Sequence, residues 1–92
     1  MRAKRTVPLL HRTGLHLRPA KRIWDTANQF QSEIWIAWKG RRANAKSLLE
    51  MVALGALPGA ELQLEAEGAD AADAVQALAD LILKSINLNE DL

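Results

Sequence analysis

Leu62, Leu64 and Ala66 alternate with Glu61, Gln63, Glu65 and Glu67 along the stretch from Ala60 to Glu67. A period of two predicts a strand with one dry and one wet face. Ser32 to Lys39 repeats the pattern, with Ile34, Ile36 and Trp38 on one side and Glu33, Trp35 and Ala37 on the other. Lys39-Gly40 then signals a tight turn, and Arg41 to Ala45 reads as the returning strand of a hairpin. A further strand is predicted from Lys4 to His11, with Val7 and Leu9 facing inward. Pro8 has no amide proton to give a ladder, which places that strand at a sheet edge.

Between Leu17 and about Gln29 the period becomes helical: Ala20, Ile23, Ala27 and Phe30 form an inner stripe, bordered by Trp24. Pro19 is tolerated in the first turn, where amide protons have no intrahelical acceptor. Ser47 reads as the N-cap of a short helix from Leu48 to Leu54 that stops at Gly55, with Glu50 placed for a capping box. Pro58-Gly59 turns the chain. Asp70 or Asp73 opens a last helix whose inner stripe is Ala71, Val75, Leu78, Ile82 and Ile86. Its early acids and late Lys84 suit the helix dipole. The order β-α-β-β-α-β-α, with helices on one face of a mainly antiparallel sheet, predicts an α+β sandwich. Trp24 and Trp38 are expected in the core, and Trp35 on the polar face.

Composition narrows the class. Ninety-two residues suffice for one domain, taken as residues 1–92. The absence of cysteine removes disulfides and thiolate metal sites and fits a reducing compartment. No metal site is expected. The apolar run Val7 to Leu10 is too short for a secretory signal, and Leu48 to Ala60 is broken by Glu50, Pro58 and glycines. The chain is therefore expected to be cytoplasmic, without membrane insertion. The net charge of +1 hides an asymmetry: residues 1–46 carry eleven Lys/Arg and two carboxylates, residues 47–92 one Lys and nine carboxylates. If that asymmetry persists in space, a basic face would steer toward acidic surfaces.

The segment that carries chemistry is Thr13-Gly14-Leu15-His16-Leu17-Arg18-Pro19-Ala20. A glycine turn delivers His16 to the start of the first helix, where free amides and the helix dipole attract anions. Leu17 and Arg18 each offer an amide there, and the Arg18 guanidinium can grip phosphate oxygens. An imidazole beside such a pocket suits nucleophilic attack on a phosphoryl group, giving a phosphohistidine. By spacing alone, His16 reads more readily as a solvated cap residue than as a nucleophile. His11, at a strand end, is expected to be solvated. No Walker loop, paired-carboxylate or zinc pattern is present. An exposed Trp35 near Arg41 and Arg42 reads as a base-stacking platform or as a lid over aliphatic stems; no nucleic-acid partner is expected.

Gly14 to Ala20, and Asn44-Ala45-Lys46-Ser47-Leu48-Leu49 through Leu54-Gly55, resemble the active-site and serine-site segments of the HPr family. These are the histidine phosphocarriers of the bacterial phosphoenolpyruvate-dependent phosphotransferase system. Phe30 to Ile34 and Leu64 to Gly68 resemble further family segments, and the likeness runs from about Lys4 to Ile86. The resemblance implies an open-faced sandwich: a four-stranded antiparallel sheet covered on one face by three helices. It implies that His16 accepts phosphate on Nδ1 from phosphorylated enzyme I, that Arg18 stabilises the group, and that a IIA-type component receives it. Such a protein is a carrier rather than an enzyme, needs no cofactor and is expected to be a monomer. Ser47 matches the position modified by HPr kinase/phosphorylase, and Leu48, Leu49 and Val52 match an exposed patch that docks partners. Leu17 and Lys21 depart from the family beside His16 and bear on partner choice. Glu50 departs from it beside Ser47 and opposes a phosphate there. The alternative is a regulatory binding module, in which Ser47 phosphorylation creates a ligand for a transcriptional regulator. The sugar-transport and nitrogen-related branches share the motif.

Overall fold

The computed structural model describes residues 1–88. The chain runs β1 (Arg2–Leu9), α1 (Leu17–Ala27), β2 (Glu33–Trp38), β3 (Arg41–Asn44), α2 (Leu48–Leu54), β4 (Ala60–Glu67) and α3 (Ala71–Lys84), then a 3-10 turn at Ile86–Leu88. The four strands pair antiparallel in the order β1-β4-β2-β3. β1 lies at an edge, as Pro8 requires.

Alternation sets the register. Val7 stands opposite Leu62, and Leu64 opposite Ile36, so each pairing puts apolar side chains on the same face. That face meets Ala20, Ile23 and Ala27 of α1, Met51 of α2, and Ala74, Leu78 and Ile82 of α3 in one buried cluster. Trp24 and Trp38, expected in the core, are half-buried and pack against it. The other face is wet. Arg2 pairs with Glu67 at 3.1 Å and Lys4 with Glu65 at 3.9 Å, while the Arg42 guanidinium lies 4.0 Å from the centre of the half-buried Trp35 ring. Trp35 is thus covered by a neighbour. Between β2 and β3, Lys39 and Gly40 both take positive φ, 51° and 76°, the backbone that a two-residue hairpin needs.

β2 and β3 each end one residue before the sequence expectation, and three other elements differ in more telling ways. α1 stops at Ala27, because Gln29 and Phe30 donate to the carbonyls of Thr26 and Ala27, three residues back. Phe30 therefore packs from a tightened turn rather than from the helix. β1 stops at Leu9, because the Leu10 amide leaves the sheet and donates to Asn87 Oδ1 at 2.8 Å. The Asn87 amide in turn donates to the Pro8 carbonyl at 2.9 Å, fastening the 3-10 turn to the strand end. Ile86 is buried as expected, but in that turn beyond α3. No described helix is long and apolar enough to cross a membrane.

Candidate functional site

The loop between β1 and α1 is held from beneath. Gly14 has φ 67°, and a Cβ there would collide with the Ala56 carbonyl oxygen. The Leu15 amide donates to that same oxygen at 2.9 Å, and the Leu15 side chain is buried. One residue later, His16 caps α1 in extended backbone, with φ −80° and ψ 172°. Its carbonyl accepts the first helical bond, from the Ala20 amide at 2.9 Å. Its ring makes no capping hydrogen bond, and the residue is exposed.

Leu17, Arg18 and Pro19 fill the first turn ahead of Ala20. Pro19 has no amide proton, so this helix mouth presents two amides, those of Leu17 and Arg18. Arg18 is exposed and has no carboxylate partner among the described residues. Lys21 behaves differently. Its ammonium bonds Asp25 at 3.2 Å and sits 5.7 Å from the centre of the Trp24 ring, drawn along the helix away from its start. An exposed imidazole, two amides and an exposed guanidinium thus share the start of α1, the kind of groups that can hold a tetrahedral anion.

α2 runs antiparallel to α1. Leu15 bonds Ala56 beyond the end of α2, while the Trp24 indole donates to the Lys46 carbonyl before its start, at 3.1 Å. His16 and Ser47 therefore lie at opposite ends of the helix pair. Ser47 caps α2: its hydroxyl accepts from the Glu50 amide at 3.3 Å. The reciprocal half of the capping box is not formed. Glu50 Oε1 accepts from the Asn44 amide at 3.1 Å instead, and Ser47 gives its own amide to the Asn44 carbonyl. Of the apolar side chains, Leu49 is 83% exposed, Leu17 51% and Val52 38%. Leu48 turns inward, half-buried against the core, so it is the least available of the set.

Two polar residues behave as the sequence did not announce. His11, expected in solvent, is 3% exposed. Its Nδ1 lies 2.8 Å from Thr13 Oγ1 and 3.2 Å from the Thr13 amide nitrogen, and its Nε2 is buried without a partner among the described residues. The only sequence signal was a polar pair two residues apart. Asp70, one of the two acids expected to open α3, is its N-cap residue, yet its side chain makes no bond to that helix. It accepts from the Ser32 hydroxyl and from the amides of Ser32 and Gln31, both at 2.9 Å, and so ties the α1–β2 connection to the start of α3. The Ser32 hydroxyl first, then the Gln31 amide, lower its carboxyl to about 2.

Comparison with known proteins places this geometry. A family model described as "PTS HPr component phosphorylation site" matches residues 3–84. The phosphocarrier protein HPr of Neisseria meningitidis serogroup B is 39% identical over 79 residues, 86% of this chain and 89% of that protein. Among solved structures, HPr-C-His from Thermoanaerobacter tengcongensis superposes with a TM-score of 0.88 at 39% identity, covering 96% of this chain and 98% of that one. HPr from Bacillus anthracis gives 0.83 at 32% identity, covering 88% and 96%.

Proposed function

We propose that this chain, which belongs to the HPr family of the phosphotransferase system, carries its phosphoryl group on His16. The observation that carries the assignment is the exposed imidazole at the cap of α1, next in the chain to two amides without intrahelical acceptors and to Arg18, which has no carboxylate partner among the described residues. In the transfer, the lone pair of His16 Nδ1 attacks phosphorus. The bond from phosphorus to the donor atom breaks, and its electron pair stays with the donor. The Leu17 and Arg18 amides and the Arg18 guanidinium hold the oxygens throughout, so the chain contributes positioning and electrostatics. Return of the group to an acceptor reverses these steps.

The donor in this reading is phosphorylated enzyme I, and the acceptor a IIA-type component. Both dock on the apolar side chains of Leu17, Leu49 and Val52. The structure favours a histidine carrier over a serine-controlled module. The Ser47 hydroxyl is engaged as a cap, and the Glu50 carboxylate beside it opposes a second anion. Incubation with phosphoenolpyruvate and enzyme I should place acid-labile phosphate on the chain, and His16→Ala should abolish it. Label persisting in that variant overturns the assignment.

A further inference from the structure

We infer that His11 is a positioning residue for His16: its Nδ1 accepts the Thr13 amide and closes the turn that presents the acceptor imidazole at the mouth of α1. The inference rests on the carrier role proposed above. The hydrogen bonds fix the ring's tautomer. A backbone amide can only donate, so the 3.2 Å contact from the Thr13 nitrogen makes Nδ1 an acceptor. The Thr13 hydroxyl, 2.8 Å away, then donates to the same atom. The ring proton sits on Nε2, the buried atom that has no partner among the described residues.

The ring is therefore held by one edge. A side-chain acceptor taking the amide two residues on is the geometry of an Asx turn, with an imidazole nitrogen in place of the carboxamide oxygen. A buried N–H without an acceptor is a cost, and an apolar side chain of similar bulk would remove it. That replacement would leave the Thr13 amide unanswered instead. What the histidine supplies at this position is its Nδ1.

The turn has little slack. Leu9 and Leu10 are pinned before it, by the Gly59 amide on the Leu9 carbonyl at 2.7 Å and by Asn87 on the Leu10 amide. Within it, the Gly14 amide donates to the His11 carbonyl at 3.0 Å. After it, Leu15 is bonded to Ala56, and the next residue is His16. Only Gly14 and Leu15 separate Thr13 from the reacting ring.

The test compares two substitutions in the full chain. His11→Asn keeps an acceptor on the atom bonded to Cγ, whereas His11→Leu keeps apolar bulk and loses the acceptor. With phosphorylated enzyme I as donor, the leucine variant should lose roughly ten- to a hundredfold in kcat, the scale of a misplaced reacting group. Its KM for enzyme I should stay within about twofold, since the docking side chains are untouched. The asparagine variant should keep kcat within about threefold. A leucine variant as fast as the unsubstituted protein, or an asparagine variant as slow as the leucine one, overturns the inference. Nitrogen-15 shifts of the His11 ring, read without any substitution, should show the proton on Nε2, and the Thr13 amide should exchange slowly. A proton on Nδ1 overturns the inference even where the leucine variant does not fold. If the unsubstituted protein takes no phosphate, the carrier reading falls, and the ring tautomer and Thr13 exchange still decide whether His11 closes the turn.

Discussion

Arg18 and Asp70 show what single side chains contribute here. Arg18 has no other described task, so its planar fork is available to phosphate oxygens. Arg18→Lys keeps the charge and loses the two-pronged contact. Transfer from enzyme I should slow by roughly tenfold, the loss of part of an anion cradle. The thermal midpoint should not move, because the side chain is exposed. Asp70 acts on stability instead. Its carboxyl titrates near 2 in the fold against an ordinary 3.8, because three donors favour the ionised form. A depressed value means the folded state gains from ionisation. That gain is complete above the unfolded value of 3.8 and is lost as pH falls through about 2. Thermal midpoints followed from neutral pH into acid should show this decline, and Asp70→Asn should lower the neutral-pH midpoint and flatten the decline. An unchanged acid profile in the variant would mean that other carboxylates govern it.

The secondary elements were legible where their signals are local. The bounds of α2 and β4 match the sequence expectation at both ends, because Ser47 caps, Gly55 stops with φ 69°, and the alternation from Ala60 to Glu67 has no break. The Lys39-Gly40 hairpin was legible for the same reason. Phe30 misled at the end of α1, since a tightened turn brings it to nearly the position that another helical turn would give. His11, Asp70 and Asn87 were not legible in their structural roles. Asp70 and Asn87 bond groups 38 to 79 residues away, and no local pattern encodes such pairings. The placement of His16 at the cap and Arg18 in the first turn of α1 was readable, because one turn and one helix start are local signals. The Ser47 cap makes a direct test of α2. Ser47→Ala should cost about 1 kcal/mol, and Ser47→Gly only a few tenths. In a chain this short, the alanine variant should melt about 4–8 °C lower. An alanine variant that melts with the unsubstituted protein would show that the hydroxyl bond to Glu50 carries little.

Across the molecule, the charge asymmetry of the sequence is partly undone by the topology. β1, from the basic half, lies beside β4, from the acidic half, and Arg2 and Lys4 meet Glu67 and Glu65 there. No wholly basic face forms on the sheet. The helical side instead exposes Leu17, Leu49 and Val52 around the start of α1 and along α2. Leu49, the most exposed of them, should contribute to docking and little to folding. Leu49→Asp should raise KM for enzyme I about tenfold, the range of a modest interface contact, with kcat and thermal midpoint unchanged. A falling midpoint would instead assign Leu49 to the fold. Asn87 has a consequence of another kind. Its amide gives to the Pro8 carbonyl and takes from the Leu10 amide on the margin of β1 that has no neighbouring strand. One side chain thus stands where the backbone of a stacked copy would run, and Pro8 has nothing to donate there. Along that stretch of the rim a further strand finds no template, its place being taken by a carboxamide and an imino acid.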